Sequence, residues 1–249
     1  MNLNRLWALV KGELIRLNKY NVTAISVLVA ILWGIILYFV DSAALASMLP
    51  FILMIDASMM SIMYIGSVMF FEKTESTIST MLVTPSTNSE LVLSKVVANT
   101  IHNMLSSALI IIVFYFIKNI QINWFLIFLG VFAATAFHTV AGLFLAYYQK
   151  NFTGMLVNIM IIAFALMVPT ALYQFNVLTA DFWEYLLLIN PVQSAAEVIG
   201  GGFTGYFTEG VFAWKYYFSL IYMLGGSVLL YVFLVLPKFH DYAVKQSGV

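Results

Sequence analysis

Six stretches of the chain stay apolar for about twenty residues at a time: roughly 22–40, 48–71, 96–117, 123–148, 154–175 and 215–236. None alternates polar and apolar positions, as a lipid-facing β-strand would. Each meets the roughly 20 residues that an α-helix needs to cross a hydrocarbon core. Backbone N–H and C=O groups in lipid must pair within their own segment, so the pattern predicts an all-α integral membrane protein with six transmembrane helices.

The segments between these runs follow other rules. Over residues 1–20, Leu3, Leu6, Trp7, Val10, Leu14 and Leu17 recur every three or four positions, while Arg5, Lys11 and Arg16 lie off that stripe. This is an amphipathic helix, expected at the membrane interface with its bases near anionic lipid. Between spans 2 and 3, Ile78, Met81 and Leu82 stand at i, i+3 and i+4, so a short helix with one apolar face is expected, with Glu72, Glu75 and Ser79 in other directions. Pro85 disfavours helix at Thr84. Thr87 and Glu90 then form an S/T-x-x-E capping box that opens the next helix. The result is a compact knuckle that either docks a partner or simply turns the chain.

Between spans 5 and 6, Asp181 with Glu184 three residues on reads as a capped helix start, and Asn190 as the cap of a second helix with Pro191 first and Gly200 at its end. Eight or nine residues at 1.5 Å each reach only about 12–14 Å. Residues 181–200 are therefore expected to form a short extracellular re-entrant hairpin rather than a span.

Composition narrows the class. The chain has 249 residues, of which 63% are hydrophobic and 9% charged, against roughly 25% charged in soluble domains. Its surface therefore needs a bilayer as solvent. The net charge is zero and no basic run occurs, so nucleic acid is not an expected partner. Without cysteine there are no disulfides or thiolate metal sites, which fits a bacterial plasma membrane. Residues 1–20 mix charged and apolar positions and contain no A-x-A site, so a cleaved signal peptide is not expected. Lys and Arg set the orientation: Arg5, Lys11, Arg16, Lys19, Lys73, Lys95, Lys150, Lys238 and Lys245 fall on one side, and only Lys118 and Lys215 on the other. The positive-inside rule puts the knuckle and both termini in the cytosol. It puts Asp181, Glu184, Glu197 and Glu209 outside.

Polar residues inside the spans are few. Asp56 sits within span 2, where an ionised carboxylate costs about 2.5–3.5 kcal/mol on insertion scales, so a functional or protomer-interface role is the favoured reading. Asn99, His102, Asn103 and Ser106 share a face of span 3; His138 is in span 4 and Asn158 in span 5. They read as a substrate path or protomer seam, or, more simply, as interhelical hydrogen bonding. The three histidines, 102, 138 and 240, make no HExxH or His-x3-His pair, and no G-x-S-x-G occurs, so no catalytic or metal site is expected. There is no G-x-x-x-x-G-K-[ST] phosphate loop either.

The stretch "EKTESTISTMLVTPSTNSELVLSK" resembles the coupling-helix region of ABC-2 type transporter permeases. That family often reads E-x-E-x-G-T-L-x-x-L-L-V-T/S-P with a G/S-K about ten residues on. Here the pattern falls on Glu72, Thr77, Ile78, Met81, Leu82, Val83, Thr84, Pro85, Ser94 and Lys95. Asn190-Pro191 is similar to an N-P that the family often carries near its extracellular re-entrant helices. The amphipathic first helix, six spans and cytosolic termini fit the same family, and "LVTPSTNSELVLSK" most resembles its fluoroquinolone-type drug-export branch. Three positions depart: Ser76 stands at the frequent glycine, Thr74 at the second acid with Glu75 beside it, and Ser79 where Glu is common. The resemblance implies a permease that pairs with a second protomer, itself or a paralogue. Glu72, Glu75, Thr77, Ile78, Met81, Leu82 and Pro85 would couple it to a separate ABC ATPase subunit. That subunit would hold the ATP and Mg, and this chain would bind no cofactor. The pair would export an amphipathic or hydrophobic substrate, such as a drug, lipid-like molecule or peptide, by alternating access. The alternative is an ion-gradient-driven carrier or channel that works without an ATPase.

Overall fold

Helices make up nearly all of the backbone in the computed structural model, which describes residues 1–40, 42–118, 121–203 and 212–246. Glu209 and the side chain of Ser79 lie outside what is described. Among the described residues, the pairing outside helices is a single antiparallel bridge between Ile122 and Phe203.

α1 (Leu3–Lys19) begins at Asn2, whose side chain accepts from the amides of Asn4 and Arg5. It meets α2 (Val22–Tyr38) at 64°, the chain turning at Asn21 in the left-handed region (φ 60°). Next come α3 (Ser42–Ile55), a π-helical turn at Asp56–Met60, and α4 (Ser61–Thr74). The knuckle helix is α5 (Thr77–Leu82). The long helices α6 (Asn88–Lys118), α7 (Trp124–Ala146) and α8 (Phe152–Gln174) follow, then the short pair α9 (Asp181–Leu188) and α10 (Pro191–Gly200). α11 (Phe212–Leu230), a second π-helical turn at Tyr231–Val235, and α12 (Leu236–Gln246) complete the chain.

Among the described residues, five helices are long and apolar enough to cross a membrane, or six if the bent α1–α2 pair counts as one span. α2 alone has 17 residues, about 26 Å at 1.5 Å per residue, slightly short of a hydrocarbon core of about 30 Å.

Two helices run past the expected limits. α6 starts at Asn88 because the capping box forms: the Thr87 amide donates to Glu90 Oε2 (3.0 Å) and the Glu90 amide to Thr87 Oγ1 (3.3 Å). The last span does not stop near 236 but continues through the π-turn into α12. Pro237 has no N–H to return to Phe233, and the ladder widens just before it, with the Leu236 amide bonding back to Tyr231 O.

Asp181 is not a cap. The chain is already extended at Ala180 (φ −74°, ψ 137°), so Ala180 is the capping residue of α9, and Asp181 and Glu184 fall within its first turn. Their charges there favour the helix dipole instead. Asn190 does cap α10, accepting from the Val192 amide at 3.0 Å, with Pro191 at the first position.

α7 lies at the centre, packed by α4, α6, α10 and α11. α8 and α11 are the least covered spans. They expose Ile161 and Phe164, and Ile221 and Val228, as a lipid-facing or protomer-facing surface does.

Candidate functional site

The knuckle is built around two ion networks that fix α1 to it. The first is buried. Lys95 of α6 points its Nζ at both oxygens of Glu72 (2.6 and 2.5 Å) and at Glu13 Oε1 of α1 (2.9 Å). Arg16 of α1 closes the set, 2.7 Å from Glu13 and 3.4 Å from Glu72. Glu72, Glu13 and Lys95 have almost no exposed surface. Two carboxylates and two cations balance: Glu13 accepts from both Lys95 and Arg16, and Glu72 accepts from Lys95 with Arg16 as a further counter-charge. The first Glu and the final Lys of the sequence motif are thus the two halves of one salt bridge.

The second network holds the far side. Arg5 donates its Nη2 to Glu90 Oε1 (2.9 Å) and its Nη1 to Pro85 O (2.8 Å), with its Nε 2.8 Å from Glu90 Oε2 as an ion-pair contact. The Asn2 amide adds a bond to Glu90 at 2.7 Å. At the near side the Tyr20 hydroxyl donates to Glu75 (2.8 Å), with Lys19 at 3.4 Å. The Tyr20 hydrogen bond, aided by the charge of Lys19, holds the Glu75 carboxyl below its usual range. α1 therefore runs beside the knuckle and grips it at Glu75 and at Pro85. Of the three bases expected near lipid, Arg5 and Arg16 sit on carboxylates of this chain, as does Lys19, while Lys11 is exposed. The signal was present in the sequence, since Glu13 is the only acid of α1 and falls between Val10 and Leu17 on the apolar stripe.

Within the knuckle, Ile78 and Met81 are buried, and they cluster with Phe239, Tyr242 and Ala243 of α12. Thr77 and Leu82 are half-buried; Glu75, Thr84 and Pro85 are exposed, and Val83 is 84% exposed. Glu72 is below the surface, so it anchors the base of the knuckle. Ser76, at the motif's glycine position, has φ 55° and ψ 22°. Only glycine adopts this left-handed conformation without a steric cost, which runs to about 1–2 kcal/mol for other residues. Ser76→Gly is expected to stabilise the chain by about 1 kcal/mol, read as a higher melting temperature of the purified protein in detergent; an unchanged or lower value would show that the turn carries no such strain.

The polar residues of the spans divide. Asp56, at the start of the π-turn and fully buried, accepts from Ser106 (3.1 Å) and Ser107 (2.6 Å) of α6. Asn99 donates to Ser61 O (3.2 Å) and to Thr139 Oγ1 of α7 (2.8 Å), and Asn103 donates back to Asn99 O. His102 meets Ser26 of α2 at 3.4 Å and the Tyr64 ring edge-on. One face of α6 thereby bonds to α2, α4, α7 and the π-turn. His138 turns its Nδ1 to Ala134 O of its own helix (2.8 Å). Asn158 is not with this group: it is exposed on α8 and donates to Gln149 (2.8 Å). Asn190 also ties helices together. Its Nδ2 donates to Leu166 O (2.7 Å) and to Thr170 Oγ1 (3.2 Å), on either side of Pro169 in α8. Among the described residues no three His, Asp or Glu side chains come close enough to hold a metal ion.

Compared with known families, the chain matches the model described as ABC-2 type transporter over residues 4–204, a range that takes in both ion networks, the knuckle and the α9–α10 pair. No curated protein matches it.

Proposed function

The chain belongs to the ABC-2 type transporter family, and from that premise we propose that it is the export permease of an ATP-driven pump whose knuckle, Thr77–Leu82 with Val83–Pro85, receives a separate ATPase subunit. Members of this family are permease components of ABC transporters and generally work with an ATPase subunit. The observation that carries the reading is the form of the knuckle. It presents Val83, Thr84 and Pro85 outward while charge networks hold it rigidly from both flanks. A rigid projection is what transmits a push; a solvated loop would absorb it. The count of Lys and Arg supports a cytosolic knuckle and cytosolic termini in a bacterial plasma membrane. Two protomers are proposed to alternate between inward- and outward-facing states as the ATPases close, each state favoured by its own contacts. The scarcity of charge within the spans favours an amphipathic or hydrophobic cargo of the drug, lipid-like or peptide kind. The segment from Leu82 to Lys95 favours the drug-export branch. Glu75, Thr77, Leu82 and Pro85 border the outward edge, and Ile78 and Met81 seat it. Asp56, Asn99, His102, Asn103 and His138 are proposed as the polar seam along which the bundle rearranges, and the α9–α10 pair as its outer re-entrant element.

Val83→Asp tests the docking role. Val83 touches little of its own chain, so the variant is expected to keep the wild-type melting temperature while losing co-purification with the ABC ATPase. Retained co-purification and unaltered nucleotide turnover in the complex would remove the knuckle from the coupling role.

A further inference from the structure

The apolar face of the knuckle is not free for any partner, because the last helix of this chain already covers it. Ile78 and Met81 on α5 share a buried cluster with Phe239, Tyr242 and Ala243 on α12. Tyr242 stacks on Tyr147 at the end of α7, with ring centroids 4.7 Å apart. α12 is in turn the direct continuation of α11, joined to it only through the π-turn Tyr231–Val235. Tyr231, the first residue of that turn, reaches the first turn of α6: its hydroxyl donates to Ser89 O (3.1 Å) and lies 3.2 Å from Ser89 Oγ. The last span therefore holds the knuckle through the Phe239–Tyr242 seat and, at Tyr231, holds the first turn of the helix that follows it. π-turns widen the helical ladder and are frequent where helices act at functional sites.

We propose that α12 is the second arm of the coupling device: displacement of the knuckle is carried through Phe239 and Tyr242 into the π-turn and so moves α11, the weakly covered span. This rests on the ATPase-docking reading above and adds a route by which the push reaches a span distant in sequence. Phe239, Tyr242 and Tyr231 act as positioning residues. α11 suits the moving part, since most of its surface is not held by its own bundle.

The test uses the full chain with its ABC ATPase in lipid nanodiscs. The chain has no cysteine, so nitroxides introduced at Ile221→Cys on α11 and Ile161→Cys on α8, both exposed, report that separation by pulsed EPR with and without ATP and vanadate. The wild-type background should show a nucleotide-dependent shift. Phe239→Ala is expected to reduce the shift about threefold or more while the ATPase still co-purifies, in the range by which substitutions along a coupled network act. Tyr231→Phe removes only the hydroxyl contacts to Ser89 and should give a smaller loss in a chain that folds normally. His240→Ala, on the exposed side of the same helix, should leave the shift intact. Failure of the ATPase to co-purify with the wild-type chain would overturn the docking reading. Co-purification with an α11 that ignores nucleotide, or that responds equally in Phe239→Ala and Tyr231→Phe, or a loss in His240→Ala as large as in Phe239→Ala, would overturn the role of α12 alone.

Discussion

Lys95→Met is expected to destabilise the fold by about 3–5 kcal/mol, the cost of leaving a buried ion group without its counter-charge. Lys95 is among the largest fully buried side chains of the described residues, and it faces Glu72 and Glu13 at 2.5–2.9 Å. Methionine matches its length but supplies no charge. Arg16 then remains as the only cation between two carboxylates, and it already spends its shorter contact on Glu13. The loss should appear as a sharply lowered melting temperature and a smaller folded fraction in detergent. The double variant Lys95→Met with Glu72→Leu makes the argument specific. It removes the charge pair together, leaves Glu13 with Arg16, and replaces ions by apolar groups, a change that is often neutral. The double variant should therefore recover most of the loss. If it melts as low as Lys95→Met alone, the penalty comes from lost packing and not from an uncompensated carboxylate.

This network also shows where the sequence is legible and where it is not. The apolar runs place the long helices because burial in lipid leaves few alternatives for the backbone. The knuckle, the Thr87–Glu90 capping box and the Asn190-Pro191 start depend on neighbours within four residues, and local chemistry decides them. Lys95 and Glu72 are both visible as motif letters, yet their pairing spans 23 positions and that of Lys95 with Glu13 spans 82. Periodicity carries no information at that range. The same limit explains α1. Its stripe is evident, but nothing local points Arg5 toward Glu90, 85 residues away. Ser76 is the converse case. As a departure from the motif it looks like a weakened pattern, and its left-handed backbone explains why glycine is common there. The cover that α12 places on Ile78 and Met81 needed the fold, since the knuckle's apolar face alone does not distinguish a docking surface from a seat.

Gly130→Ala should be the second severe variant, costing about 3 kcal/mol, the upper part of the range for overpacked cores. A Cβ at Gly130 would lie 2.2 Å from Val198 O and 2.7 Å from Val198 C. Both obstacles are backbone of α10, so no side chain can rotate away and α7 and α10 must separate. They have little freedom to do so. Asn190 fastens the start of α10 to α8. At the other end the Asn123 amide donates to Gly202 O (2.8 Å), and a Cβ on Gly202 would meet the Ile127 backbone at 2.7 Å. Gly225→Ala on α11 is the control: its Cβ would meet nothing within 4 Å. Helix propensity then favours alanine by up to about 1 kcal/mol, so this variant should melt at or above wild type. Amide exchange across α10 adds a local reading. Gly130→Ala should accelerate exchange at Val192–Ile199, which are almost all buried, before the rest of the bundle responds. Equal melting of the two alanine variants would mean that α10 is not wedged against α7. In that case its two fastened ends would not suffice to hold it as a fixed element between the spans.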